Sequence, residues 1–135
     1  MMKRILLVKL LLISIYMSGC GALIRNHRVP LVKHVVRGEY NVIMEKNISD
    51  SAFIHGYIYD KLTDEPLHYA LVTLQPVNTS IFSDSVGYYH VPVNEGMYII
   101  TVTHVGNDKI STENIRARLG AATRVDFRMG TTQIK

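Results

Sequence analysis

The chain has one cysteine, Cys20, and no tryptophan among its 135 residues. A single thiol cannot close a disulfide within the chain, and it cannot supply the Cys-x-x-Cys pairs of structural zinc sites. No His-Glu-x-x-His, Gly-x-Ser-x-Gly or Gly-rich phosphate-loop sequence is present either. We therefore expect a fold that depends on its apolar core, with no enzymatic activity and no cofactor.

An apolar run of membrane-spanning length is also missing. A bilayer span needs about 20 apolar residues, whereas the run at residues 10–16 is short and follows Lys9 directly. Basic residues before this run and the small residues Ser18 and Gly19 after it are typical of a secretory signal peptide. A transmembrane anchor is the less favoured interpretation.

The signal ends at Met17-Ser18-Gly19-Cys20, which resembles a bacterial lipobox with Met17 where Leu is usual. The resemblance implies that the signal peptide, residues 1–19, is removed and that Cys20 is acylated, which anchors the chain to a membrane. An ordinary cleaved signal peptide with a chance cysteine is the alternative. Gly21 follows in place of Asp, without an acidic cluster after it. In Gram-negative lipoproteins, Asp after the lipidated cysteine commonly causes retention at the inner membrane, and an acidic cluster is linked to export to the cell surface. Because the chain has neither feature, we expect it at the periplasmic face of the outer membrane.

The positive charge of the chain lies mainly in the signal. The chain carries 15 Lys and Arg against 11 Asp and Glu. Three of the basic residues, Lys3, Arg4 and Lys9, precede Cys20 and no acidic residue does, which leaves 12 against 11 afterwards. Nucleic-acid-binding modules usually show a concentrated basic face, so we expect no nucleic-acid partner.

Residues 20–52 are predicted to form a lipidated tether or connecting segment. Its apolar part is rich in Val, Ile and Leu and is broken by Pro30 and Gly38, which is not the composition of a flexible Gly/Ser linker. We expect part of it, residues 32–36 or 40–44, to pack on the domain as a short strand or as an irregular segment.

From residue 53 to residue 135, short alternating runs are separated by turn residues every eight to twelve positions, which predicts a β-rich domain. The clearest alternation is that of the inward residues Val125, Phe127 and Met129 with the outward residues Arg124, Asp126 and Arg128. By the same rule Val72 points inward and Thr73 outward. No helix of ten or more residues is indicated. About seven strands are expected, with a hairpin turn at residues 94–96, and an antiparallel β-sandwich is the natural all-β architecture.

Four ordered segments, residues 54–60, 64–74, 83–89 and 93–98, resemble motifs of carboxypeptidase regulatory-like domains. These are the Gly-x-Val-x-Asp strand, the Glu-Pro-Leu turn with its Ala-x-Val strand, the Thr-Asp-x-x-Gly-x-Tyr turn and the Pro-Gly-x-Tyr hairpin. The resemblance implies a seven-stranded transthyretin-like (prealbumin-like) sandwich. The motif residues, expected to serve the fold, are Gly56, Asp60, Pro66, Ala70, Asp84, Gly87, Tyr89, Gly96 and Tyr98. Ser83 replaces the usual Thr, and Asn107 follows Gly106 where the family often has Tyr.

An outward cluster is the candidate ligand or partner face. By strand parity it contains Tyr57, Tyr59, Tyr88, His55 and His90. Exposed aromatic residues can dock a partner or stack on sugar rings, but they also suit strands through cross-strand packing alone. The six histidines have neither helical i, i+4 nor strand i, i+2 spacing, so we expect no metal site.

These observations favour a non-catalytic, membrane-anchored envelope lipoprotein of a Gram-negative bacterium, of the Bacteroidetes type. Its β-sandwich would be an interaction or structural module, accessory to a larger envelope protein or transport system. The expected partners are the membrane, through Cys20, and a protein of the envelope. A carbohydrate-binding lipoprotein that uses the Tyr/His face for a glycan is the alternative, and a periplasmic metal-binding protein is the third possibility.

Overall fold

The computed structural model describes residues 33–46 and 50–134. The predicted signal peptide, the predicted lipidation site Cys20, and His27 lie outside these residues. The described residues form eleven strands and no helix, arranged in three sheets.

The first sheet has four strands in the order β2-β10-β3-β6. They are β2 (Glu39–Lys46), β10 (Ala121–Met129), β3 (Ala52–Asp60) and β6 (Tyr88–Val93). The second sheet has the order β5-β4-β7-β8, with β9 also paired to β7. Its strands are β5 (Thr79–Phe82), β4 (Leu71–Gln75), β7 (Gly96–Thr103), β8 (Ile110–Ser111) and β9 (Ile115–Ala117). The third sheet pairs β1 (Lys33–Val36) with β11 (Thr131–Ile134).

The all-β sandwich is confirmed, with alternating residues of the two main sheets meeting in the core. Ile54, Val72, Val125, Phe127 and Met129 are fully buried. The same alternation is found in β9, where Ile115 and Ala117 are buried, but it ends before the exposed Leu119.

One pairing in the first sheet differs from the antiparallel expectation. β10 runs parallel to β3, with Ala122 opposite Phe53 and Arg128 opposite Tyr59. Between β3 and β10 the chain passes to the second sheet, returns to the first for β6, and passes to the second again. It then re-enters the first sheet in the direction of β3, which a succession of hairpins would not do. Residues 52–134 also hold nine strands rather than seven, since β8 and β11 have only two and four residues and are too short for a clear period of two.

The segment before the family motifs contributes two strands, which is one of the two forms of packing that the sequence left open. β2 pairs along its whole length with β10, from Arg128 opposite Glu39 to Ala121 opposite Lys46. β1 pairs with β11. The sheets therefore include residues that precede Phe53.

Residues 94–96 are not a hairpin turn, which corrects the sequence prediction. β6 belongs to the first sheet and β7 to the second, so Asn94 and Glu95 carry the chain from one sheet to the other. Tyr98 closes this crossing, because its buried ring enters the core while its hydroxyl donates to Asn94 O at 2.7 Å. Gly96 instead starts β7 and lies opposite Ala117 of β9.

Candidate functional site

The outer face of the first sheet brings the five predicted face residues together. His55 lies directly opposite His90, and Tyr57 lies opposite Tyr88, because β3 and β6 are antiparallel neighbours. Tyr59 continues the same face of β3. With Phe53, which the sequence reasoning did not assign to this face, these residues form what we call the aromatic face: Phe53, His55, Tyr57, Tyr59, Tyr88 and His90.

Ring contacts connect the aromatic face from end to end. The ring centroids of Phe53 and His90 are 4.7 Å apart, and those of His55 and Tyr88 are 6.0 Å apart. Tyr57 contacts Tyr88 at 5.2 Å and stacks on Tyr59 at 6.2 Å with an interplanar angle of 19°. Cross-strand aromatic pairs of this kind stabilise a sheet by themselves, so ring packing explains part of the cluster without a ligand.

Two arginines of β10 border the aromatic face. The guanidinium of Arg124 lies 5.3 Å from the centroid of the Tyr57 ring, and that of Arg128 lies 5.9 Å from the Tyr59 ring. Such contacts attract a cation to the ring face. Asp126 binds Arg124 Nε through both carboxylate oxygens, at 3.0 and 3.1 Å, and these hydrogen bonds raise the pKa of Arg124. Asp64 binds Arg128. Sequence periodicity predicted that Arg124 and Arg128 point outward. Their contacts with the tyrosine rings arise from the parallel pairing of β10 with β3, which the sequence did not predict.

His55 joins an edge strand to the aromatic face. Its Nε2 is 3.2 Å from Glu45 Oε2 of β2, and its Nδ1 is 3.4 Å from the hydroxyl of Tyr88. Ala122 lies opposite Glu45 and is small enough to leave the space above β10 open for this contact. Burial is the main cause that raises the pKa of Tyr88. In its protonated form the Tyr88 hydroxyl can hydrogen-bond to His55 Nδ1.

Gly56 and Tyr89 act together beneath the aromatic face. A Cβ on Gly56 would lie only 2.0 Å from Val125 O, so the absence of a side chain is what allows β10 to approach β3. Tyr89 lies opposite Gly56, and its hydroxyl donates to the same oxygen at 2.6 Å. Burial raises the pKa of Tyr89 well above its ordinary value. These two motif residues hold the sheet that carries the aromatic face.

The turn before β6 is built from Asp84 and Gly87. Asp84 Oδ1 accepts hydrogen bonds from the backbone of Val86 at 3.0 Å and of Tyr88 at 2.9 Å, as Asp commonly does in turns. Gly87 has a φ of +76°, which costs glycine little. The turn fixes the start of β6 and hence the position of Tyr88.

Ser83 is a structural residue that motif comparison treated only as a substitution. It is buried, donates from Oγ to Leu67 O at 2.6 Å, and accepts from Ala70 N at 2.9 Å. These bonds tie the turn after β5 to the chain that precedes β4. Nearby, Pro66 forms an isolated bridge with Tyr59, and Asp60 Oδ1 accepts from the backbone nitrogens of Leu62 and Thr63.

The histidines among residues 33–46 and 50–134 are not gathered into a metal centre. Across residues 33–46 and 50–134, no group of three or more His, Cys, Asp or Glu side chains is placed to hold a metal ion. His55 and His90 face each other, but His68 and His104 lie elsewhere, where His104 contacts His68 O and Asn107. In the same part of the chain, no helix is long and apolar enough to cross a bilayer.

Comparison with known proteins identifies the class of domain. The carboxypeptidase regulatory-like domain family matches residues 54–130, which are more than half of the chain, and its fold is the transthyretin-like β-sandwich. The chain belongs to this family.

Two curated relatives show the same similarity. Carboxypeptidase D of mouse and carboxypeptidase D of rat are each 28% identical to this chain over 79 residues, or 58% of its length. The matched part is only 6% of either relative. The similarity therefore concerns one regulatory-like module, and it gives this chain a non-catalytic type of domain.

Proposed function

We propose that this protein is a membrane-tethered, non-catalytic interaction module of the bacterial cell envelope, which docks a larger envelope protein through the aromatic face. The observation that carries the proposal is the continuous strip of rings along β3 and β6, flanked by Arg124 and Arg128. Tyrosine and arginine are enriched at protein interfaces. His90 is exposed, and the tyrosine rings are half-buried, so a partner can reach them.

The charge arrangement favours a protein partner over a strongly charged ligand. Asp126 and Asp64 balance Arg124 and Arg128, so the two guanidinium groups do not add up to a cationic patch. The two guanidinium groups instead pack on the rings of Tyr57 and Tyr59. With their carboxylate partners they form a polar rim around the aromatic face. An apolar centre with a polar rim is the usual anatomy of a protein interface.

The tether is the lipid that we propose on Cys20. One acyl chain gives only marginal membrane binding, whereas two or more anchor a protein stably. We propose the periplasmic face of the outer membrane as the location. Cys20→Ser should move the protein from the membrane fraction to the soluble fraction, and a variant that still sediments with membranes would contradict the lipid anchor.

The interface itself is tested by site-directed photocrosslinking in cells. A photoreactive amino acid at position 90 is expected to trap a defined envelope protein, and Tyr59→Ala should reduce that product. The matched control places the same amino acid at Thr103, an exposed position at the end of β7 on the second sheet. Equal products at positions 90 and 103 would mean that the aromatic face is not the docking surface.

A glycan is the second candidate ligand, and one specific observation favours it. The nearly parallel, stacked rings of Tyr57 and Tyr59 offer a platform on which consecutive sugar rings could pack, because tyrosine combines an apolar ring with a polar hydroxyl. A glycan array with the soluble domain tests this candidate. Binding should disappear in Tyr57→Ala and persist in Tyr69→Ala, since Tyr69 is exposed in a turn away from this face.

A further inference from the structure

The outer edge of β2 is an unusually apolar sheet edge. β2 ends the first sheet and pairs with β10 alone among the described strands. Val42, Ile43 and Met44 are 42%, 41% and 49% exposed, and successive strand residues point to opposite faces, so the edge is apolar on both faces. Residues 40–44 carry no charge. Natural edge strands are usually protected by charged residues, proline or a bulge.

We propose that β2 pairs in antiparallel fashion with β2 of a second copy of this chain, which joins two first sheets into one continuous sheet. In such a pair, a two-fold axis perpendicular to the sheet relates the two strands. Residues that face each other across the pair must point to the same side of the sheet. Because successive residues point to opposite faces, two residues can face each other only if they are an even number of positions apart. The residue at the centre of the pair therefore lies opposite its own copy, and only a few registers meet this condition.

The pairing of apolar residues with each other, without like charges opposite, selects one register. With Ile43 opposite its own copy, Val42 lies opposite Met44, Asn41 opposite Glu45, and Tyr40 opposite Lys46, so apolar residues meet and like charges do not. With Val42 at the centre, Glu39 would lie opposite Glu45, and like charges directly opposite are destabilising. With Met44 at the centre, Ile43 would lie opposite Glu45 and Val42 opposite Lys46. The sequence of β2 (Glu39–Lys46) therefore complements itself best about Ile43.

This register makes a distance prediction that a disulfide can test. Directly opposite Cα atoms in an antiparallel pair are about 4.5–5.5 Å apart, within the roughly 7 Å limit for a disulfide. Asn41 points to the same face as Ile43, but its copy would lie four residues away along the strand, or about 14 Å. Ile43→Cys and Asn41→Cys are thus matched variants, both exposed on one strand, of which only the first can crosslink.

The experiment uses the full chain in membranes under mild oxidation, with non-reducing electrophoresis as the readout and the parent chain, which has Cys20 alone, as the baseline. Ile43→Cys is expected to give at least about ten-fold more disulfide-linked dimer than Asn41→Cys, because only the pair of thiols introduced at position 43 lies within disulfide reach. Equal yields, or no dimer from Ile43→Cys in a chain with unchanged melting temperature, would overturn the proposal.

A second measurement does not depend on new cysteines. The detergent-solubilised parent chain should show a concentration-dependent dimer in analytical ultracentrifugation, and Ile43→Lys should weaken it by placing two ammonium groups opposite each other. A parent chain that stays monomeric at all concentrations overturns the proposal. Protection of the Ile43→Cys thiol from an alkylating reagent without any dimer would mean that another segment or another protein covers β2, which also overturns it.

Discussion

Asn107 donates a hydrogen bond from Nδ2 to Asp60 Oδ2 at 2.8 Å, and this bond joins the turn after β3 to the loop after β7. The family often has a tyrosine at the position of Asn107. In this chain the asparagine side-chain amide connects the turn to the loop instead. The bond is the largest cause that lowers the pKa of Asp60 from its ordinary value of 3.8. Hydrogen bonds from Thr63 and from the backbone of Leu62 lower the pKa of Asp60 further, whereas burial raises it.

The first prediction concerns the pH dependence that this bond creates. Because the pKa of Asp60 is lower in the folded chain, its contribution to stability is complete above the unfolded pKa and is lost as pH falls through the folded pKa. Asn107→Leu should therefore make the free energy of unfolding depend less on pH below about 4. Urea unfolding at a series of pH values measures this. In an Asp60→Asn background, Asn107→Leu should leave the pH dependence unchanged; a further change there would assign the effect to another group.

The second prediction compares two glycines with positive φ. Gly87 and Gly106 have φ values of +76° and +87°. A Cβ on Gly87 would lie 2.5 Å from Ile58 O, whereas a Cβ on Gly106 would meet nothing within 4 Å. Gly106→Ala should cost only the left-handed backbone penalty, about 1–2 kcal/mol. Gly87→Ala should cost more, since Ile58 O must move and it accepts a hydrogen bond from Leu67 N. Thermal or chemical unfolding of both variants decides this, and equal losses would contradict the close approach.

Local alternation explains why much of the sandwich could be predicted from the sequence. Val72, Val125 and Phe127 were placed in the core by a period of two and are fully buried. The same rule placed Tyr57 and Arg124 outward. The rule does not predict that Tyr57 and Arg124 are in contact, because periodicity gives the direction of a side chain relative to its own strand and does not identify the adjacent strand.

The parts of the fold that the sequence did not reveal depend on contacts between distant residues. The parallel pairing of β3 with β10 follows from the path of the chain through the second sheet. The contact between Glu45 and His55 requires that pairing together with the addition of β2 to β10. Likewise, the sequence motif at residues 94–96 is the same for a hairpin and for a crossing between sheets, and only the partners of β6 and β7 distinguish them.

The third prediction tests the register of β4 with adjacent residues. Val72 is fully buried between the sheets, whereas Thr73 points outward and its hydroxyl is 3.0 Å from Ser80 Oγ. Val72→Asp should prevent folding, because it buries a charge without a partner. Thr73→Asp should change the free energy of unfolding by less than about 1 kcal/mol. Circular dichroism and urea unfolding measure both, and similar losses at the two positions would mean that the strand faces are assigned wrongly.

The last prediction concerns the strands that precede the family motifs. A fragment of residues 51–135 retains the matched domain but lacks β1 and β2, so β10 becomes an unprotected edge. It also loses Tyr40, whose ring contacts Phe127 at a centroid distance of 6.1 Å and whose hydroxyl accepts from Glu113 N at 3.1 Å. Compared with a fragment of residues 26–135, the shorter one should melt lower by about 5–10 °C, measured at concentrations too low for self-association. Tyr40→Ala in the longer fragment should reproduce part of this loss, whereas identical midpoints for the two fragments would mean that β1 and β2 do not stabilise the sandwich.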